Sequence, residues 1–118
     1  MKSGPEIYKG KKIFCAHFDH LTLEELQVEV QEIVEYMTGP AETIRLILVD
    51  STGTIISPAV LNEFKKISTA AGEKKPDKSA ILGMTGPRKV LLEIINKFSK
   101  NPTFPFEDKQ SALDWLVS

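Results

Sequence analysis

Residues 78–100 read KSAILGMTGPRKVLLEIINKFSK, and this stretch decides the fold. Its first part, Ala80 to Met84, is a continuously apolar run of strand length, and Thr85-Gly86-Pro87 breaks it. A proline at the first helical position favours a helix start, because its φ is already helical and its missing N–H would have had no partner. Apolar residues then recur at helical spacing, at Val90, Leu91, Ile94, Ile95 and Phe98. The stretch therefore predicts one strand–turn–helix unit of an α/β domain.

Capping residues place the first two helices. Thr22 and Glu25 are spaced for a capping box, which predicts a first helix that ends at Gly39-Pro40. Its apolar stripe is expected to face the core and consists of Leu23, Leu26, Val30, Ile33, Val34 and Met37. Ser57-Pro58, an N-cap followed by a first-turn proline, predicts a second helix that ends at Gly72.

The remaining periodic segments complete an alternating pattern of strands and helices. Strands are predicted at 7–8, 13–18, 44–49 and 103–106, and a last amphipathic helix at 108–117. The first two strands are expected to pair as a hairpin across Lys9-Gly10-Lys11, and the strand at 44–49 is apolar enough to lie at the centre of the sheet. The order β-β-α-β-α-β-α-β-α predicts a single α/β domain over residues 1–118, with a mixed, mainly parallel central sheet and about four helices.

Composition excludes several classes of protein. Cys15 is the one cysteine among 118 residues, so an internal disulfide and a thiolate zinc cluster are both excluded. We find no apolar run of the ~18 residues that a membrane span needs, and no signal peptide. Acidic residues dominate from Asp19 to Asp50 and basic residues from Val60 to Lys100, which differs from the uniformly basic balance of a nucleic-acid binder. The sequence therefore predicts a cytoplasmic protein that neither spans a membrane nor binds nucleic acid.

Two loops that follow predicted parallel strands are rich in hydroxyl and basic side chains. Ligands of open parallel sheets bind beyond the carboxyl ends of the strands, which is where these loops lie. The candidates for an anion or small-ligand site are Asp50, Ser51, Thr52, Thr54, Thr85, Gly86, Arg88 and Lys89. The alternative is that the hydroxyls satisfy turn backbones and that the cations lie in solvent.

Cys15, His17 and Asp19 alternate along one predicted strand and so share one face of the sheet. Their spacing matches no metal-binding pair, and the chain has no GxSxG nucleophile elbow. We therefore expect no metal, no cofactor and no catalytic residue, with Cys15 as a small buried side chain. A hydrolase that uses Asp50 and His17 is a third and weaker hypothesis.

Glu25, Glu29 and Glu32 form a row of like charges on the first helix. Each like-charged pair should destabilise the helix by about 0.2 to 0.5 kcal/mol, and the first helix carries no lysine or arginine to offset this. The row is therefore interpreted as an interaction face, with screening by solvent as the alternative. A second copy could supply the opposite charge through Lys65, Lys66, Lys74 or Lys75, which would give a weak, salt-sensitive homodimer.

Four segments in this order resemble the SpoIIAA-like branch of the STAS family. They are the Lys9-Gly10-Lys11 hairpin before Ile13-Phe14, residues 48–54 (LVDSTGT), residues 78–99, and the terminal residues 112–116 (ALDWL). The resemblance spans nearly the whole chain and implies a STAS/SpoIIAA-like fold. Proteins of this branch are mostly of unassigned function, whereas the wider family contains anti-anti-sigma factors and transporter tails that dock other proteins, sometimes with nucleotide binding.

The resemblance implies a non-enzymatic STAS-like regulatory or protein-interaction module. The alternative is a carrier or sensor of a small molecule, a nucleotide or a lipid, because the fold also resembles phosphatidylinositol-transfer-type lipid-binding domains. Such a protein would hold an anionic or apolar ligand near Thr52 and Thr85.

Anti-anti-sigma factors are phosphorylated at an Asp-Ser-Ser/Thr-Gly motif, and residues 50–53 spell it. In that family the motif opens a helix. Here it directly follows a strand, and Pro58 would break a helix that began at Ser51. The resemblance therefore marks three residues for phosphorylation: Ser51, Thr52 and, at the predicted helix start, Ser57. The alternative is that this segment is a polar strand-to-helix loop that is not phosphorylated.

Overall fold

The computed structural model describes residues 2–39, 43–72, 76–84, 88–97 and 103–118. Within these ranges, five strands and four helices follow one another in the predicted order. They are β1 (Gly4–Tyr8), β2 (Lys11–His17), α1 (Leu23–Thr38), β3 (Leu46–Asp50), α2 (Pro58–Ala71), β4 (Lys78–Leu82), α3 (Lys89–Asn96), β5 (Thr103–Phe106) and α4 (Lys109–Val117).

The strands form one sheet in the order β1-β2-β3-β4-β5. The hairpin strands β1 and β2 are antiparallel, and β2, β3, β4 and β5 are parallel to their neighbours. The predicted mixed, mainly parallel sheet is thus confirmed. The carboxyl ends of β2, β3 and β4 meet at one edge of the sheet, where Asp50 is paired with His17 on one side and Leu82 on the other.

Each face of the sheet has its own core. Helices α1 and α2 cover one face, and the buried residues there are Phe14, Ala16, Phe18, Leu26, Val30, Ile33, Ile47, Val60 and Phe64. Helix α4 packs on the opposite face, over Ile13, Cys15, Leu48, Ala80, Leu82, Ala112 and Leu116. Odd and even positions of β2 therefore enter different cores, as the alternation along the strand requires.

The predicted starts of α1 and α2 are confirmed, whereas Pro87, the predicted first residue of the third helix, lies outside the described residues. The Thr22 side chain accepts a hydrogen bond from the Glu25 amide at 3.2 Å, and the Glu25 carboxylate accepts from the Thr22 amide at 3.0 Å. Ser57 caps α2 by accepting from the Val60 amide at 3.3 Å. Pro58 occupies the first turn of α2, where its missing N–H leaves no donor without a partner.

Three of the apolar residues that mark helical spacing are exposed, and one of them, Leu23, was predicted to face the core. Leu23, the first residue of α1, is 37% exposed, and Val90 and Ile94 of α3 are 63% and 38% exposed. Leu92 of α3 is buried and packs against Ile81 and Met84. Positions two residues away on a helix point about 200° around its axis, so Val90 and Ile94 face outward. Phe98 lies outside the described residues.

No helix within the described ranges has the length and apolar character needed to cross a membrane.

Candidate functional site

The loop after β3 is held in place by a buried serine. The Ser51 hydroxyl donates to the Leu82 carbonyl at 2.7 Å, and the Ser51 amide donates to the same carbonyl at 3.0 Å. Ser51 is fully buried. This residue therefore joins the carboxyl ends of β3 and β4 through both its backbone and its side chain.

Thr54 makes the corresponding connection on the other side of β3. Its buried hydroxyl donates to the Phe18 carbonyl and accepts from the Leu21 amide at 3.0 Å. A hydroxyl is one donor and two acceptors, so both contacts can be made at once. Ser51 and Thr54 together tie the loop to β2 and to β4.

Backbone contacts continue the pairing of β2 with β3 beyond the strands. The Phe18 amide donates to the Asp50 carbonyl and the His20 amide to the Thr52 carbonyl, each at 2.9 Å. The His20 ring lies directly over Gly53, where an added Cβ would come within 2.1 Å of the imidazole. A side chain at position 53 would have to displace this ring, and the φ of +74° at Gly53 also favours glycine.

Gly83 and Arg88 hold the loop from the β4 side. Gly83 has a φ of +91°, and an added Cβ would lie 2.8 Å from the Thr52 amide nitrogen. The Arg88 guanidinium donates to the Thr54 carbonyl at 2.6 Å. The loop is therefore fixed by contacts from three separate segments of the chain.

The surface of this loop includes apolar side chains that the sequence did not single out as functional. Ile55 is 84% exposed, and it lines a shallow depression together with His20, Leu23, Gly53 and Ser57. We call these five residues the loop surface. Ile55 and Leu23 were not predicted to be functional residues. The signal that could have identified Ile55 is an apolar β-branched residue inside a loop marked by Gly53 and Pro58.

The structure describes only some of the residues that were predicted to form the anion site. The Asp50 carboxylate accepts from the Thr52 amide at 3.0 Å, while Thr52 itself is exposed. Ser51 and Thr54 point into the protein, and Arg88 bonds the loop backbone. Thr85 and Gly86 lie outside the described residues, as does the side chain of Lys89.

The predicted alternation of Cys15 and His17 is observed on the α4 face of the sheet. Burial, together with a hydrogen bond to the Glu6 carboxylate, raises the pKa of the Cys15 thiol to about 12. Thiolate is the reactive form, so this cysteine is an inert core residue at neutral pH.

The His17 ring lies between Glu6, at 3.7 Å, and Asp19, at 4.0 Å. Within the part of the chain that is described, no cluster of three potential metal ligands occurs.

Glu29 of the predicted acidic face points into the molecule. It is 7% exposed, and its carboxylate accepts from the amides of Ser3, at 2.8 Å, and Lys2, at 3.3 Å. Burial alone would raise the pKa of Glu29, but these hydrogen bonds outweigh it and keep the pKa below its ordinary value. The Glu25 side chain belongs to the capping box, and Glu32 is half-buried.

The sequence matches no protein-family model and no curated protein. Its structure is similar to the crystal structure of an uncharacterized protein of the DUF3478 family with a SpoIIAA-like fold, from Shewanella loihica PV-4. The TM-score is 0.67 at 23% sequence identity, and the match covers 97% of this chain and 91% of that chain. The chain therefore has a SpoIIAA-like α/β fold, as its sequence motifs predicted.

Proposed function

We propose that this chain is a non-enzymatic regulatory or protein-interaction module that docks a partner protein on the loop surface. The observation that supports this is the 84% exposure of Ile55 in a loop whose Ser51 and Thr54 hydroxyls are buried. A loop that binds a small polar ligand would direct its hydroxyls outward. A fixed loop that directs an isoleucine outward instead suits an apolar recess on another protein.

The charges near the loop surface suggest the chemistry of the partner. Asp19 precedes His20, and Glu24 and Glu25 follow Leu23 in the first turn of α1. A partner with an apolar recess and a basic rim would complement this end of the molecule. Such charges mainly speed association, so docking should weaken as salt is added.

Phosphorylation is a suitable means of regulating this contact. Among the three hydroxyls that the resemblance marked, Thr52 is exposed, Ser57 caps α2 and Ser51 is buried. A kinase could reach Thr52 without opening the fold. A phosphate there would add about −1.5 to −2 charge to an acidic surface and would alter the affinity for a basic partner.

The alternative function, a carrier of a small apolar or lipid ligand, is favoured by one cavity. It lies between the helices α1 and α2 and the sheet, and its apolar lining includes Phe18, Ile33, Phe64 and Ile67. Its volume is ≈ 100 Å³. Pockets that bind small organic molecules typically measure about 300 to 1,000 Å³, so this space is too small for a lipid chain. The small size of this cavity favours the interaction module.

The substitution Ile55→Asp tests the proposal. Tagged parent protein is expected to capture a discrete partner from lysate of its host, and the variant is expected to capture at least about tenfold less of it, because loss of a central apolar contact has effects of this size. The matched control is Ile7→Asp. Ile7 is also exposed, at 69%, but lies on the edge strand β1. Quantitative mass spectrometry of the captured proteins gives the ratio.

Both substitutions lie at the surface, so both variants should keep the melting temperature of the parent. The proposal would be wrong if Ile55→Asp captured the same proteins in the same amounts as the parent. It would be equally wrong if Ile7→Asp caused the same loss.

A further inference from the structure

The cavity beneath α1 and α2 has room for a small molecule, although not for a lipid chain. Its volume of ≈ 100 Å³ is below that of typical pockets for organic ligands. It nevertheless exceeds the about 10 to 15 Å³ that one water molecule needs, and an apolar cavity of about 150 Å³ in another protein holds benzene. The occupant is therefore limited to a body of about six carbon atoms.

Most of the cavity lining is apolar. Met37 lines it from the last turn of α1, and Ile67 and Ala71 line it from the last turns of α2. Ile47 of β3 lines it from the sheet. None of the described lining residues is charged. Because an ion would lose its hydration here without gaining a counter-charge, the cavity suits an uncharged occupant.

Hydroxyl groups also line the cavity. Ser79 of β4 and Thr103 of β5 are direct neighbours in the sheet, so their side chains point to the same face. Both line the cavity, as does Ser68 of α2. The cavity therefore offers hydrogen-bonding groups to an occupant as well as apolar surface.

The Ser79 hydroxyl is the group that most needs an occupant. Ser79 is 8% exposed, and its side chain makes no hydrogen bond within the described ranges. Every fully enclosed polar side-chain atom of these ranges does have a partner, so the Ser79 oxygen is reachable from the cavity. A buried hydroxyl without a hydrogen bond is costly. A polar atom in the cavity would therefore stabilise this side chain.

We infer that this cavity binds a small uncharged molecule with an apolar body and a single hydroxyl group, such as a phenol or a short alcohol. The apolar body lies between the two helices and Ile47, and the hydroxyl is hydrogen-bonded to the Ser79 oxygen. The site shares no residue with the loop surface. The inference therefore does not depend on the proposed docking function.

Titration of the ¹⁵N-labelled protein with phenol tests the inference, with toluene as a ligand of similar size that lacks the hydroxyl. We expect saturable shifts of the Ile47, Ile67 and Ser79 amide signals at millimolar phenol, while the Ile55 signal does not move. Ser79→Ala should weaken phenol binding by about fivefold, which is the effect of one hydrogen bond. The same substitution should leave toluene binding unchanged.

Two alanine positions on α2 test where the ligand lies. Ala71→Leu places a larger side chain in the cavity and should abolish the binding of both ligands. Ala70→Leu makes the same change at the neighbouring residue, which lines the outer groove between α1 and α2, and should bind phenol as tightly as the parent protein. Dispersed amide spectra show whether each variant is folded, and Ser79→Ala decides the question by itself if Ala71→Leu does not fold.

The inference is overturned if the three amide signals do not move with phenol, or if Ser79→Ala changes phenol and toluene binding equally or not at all. It is also overturned if the two leucine variants lose the same affinity. None of these outcomes bears on the capture of a partner through Ile55.

Discussion

Replacing Gly83 with alanine is expected to lower the free energy of unfolding by about 2 to 4 kcal/mol. Two effects add. A φ of +91° is strained for any residue with a Cβ, and the new methyl group would come within 2.8 Å of the Thr52 nitrogen and 2.9 Å of the Ser51 carbonyl carbon. Because these are backbone atoms, the loop itself would have to move. Urea denaturation followed by circular dichroism measures the loss.

Gly10 provides a control that separates the two effects. It has a similar φ, +79°, but an added Cβ there would meet nothing within 4 Å. Gly10→Ala should therefore show the backbone strain alone, about 1 to 2 kcal/mol. Equal losses for the two variants would contradict the tight contact between Gly83 and the loop.

Thr54→Val is expected to destabilise the protein by about 2 to 3 kcal/mol, even though valine has nearly the same shape as threonine. The hydroxyl both donates to the Phe18 carbonyl and accepts from the Leu21 amide. Its removal would leave these two backbone groups without their partner. The same urea titration gives the value.

Ser51→Ala is the matched comparison for Thr54→Val. Its hydroxyl makes one hydrogen bond, to the Leu82 carbonyl, and that carbonyl keeps a second donor in the Ser51 amide. The loss should be about 1 kcal/mol. If Thr54→Val proved no more destabilising than Ser51→Ala, the Thr54 hydroxyl would not hold both the Phe18 carbonyl and the Leu21 amide.

Local signals in the sequence were enough to predict the order of elements. The Thr22 capping box and the Ser57-Pro58 helix start act within one helical turn, so they can be read without tertiary structure. The long apolar strands and the alternation along β2 likewise depend on near neighbours. The SpoIIAA-like fold followed from these elements and from the motifs that they carry.

The roles of the loop residues could not be predicted because their partners are distant in sequence. Ser51 bonds a carbonyl 31 residues away, and Thr54 bonds one that is 36 residues away. The Glu29 carboxylate accepts from an amide 26 residues earlier in the chain. A polar residue that is bound in this way has the same local sequence signature as one that lies in solvent, so only the tertiary structure distinguishes them.

The exposure of some apolar side chains could not be predicted from the sequence for a related reason. Val90 and Ile94 have helical spacing but are exposed, and Leu92 of the same helix is buried against Ile81 and Met84. Ile55 lies outside any helix or strand, so no periodicity describes it. The outward position of Ile55 follows from the inward position of the two hydroxyls, and the docking proposal depends on that arrangement.

The most direct test of docking is photo-cross-linking in the host cell, with a photoreactive residue placed at position 55 in one variant and at position 7 in another. Docking through Ile55 predicts an adduct of one defined mass from position 55, competed by excess parent protein and absent from position 7. No adduct from position 55, or the same adducts from both positions, would contradict it.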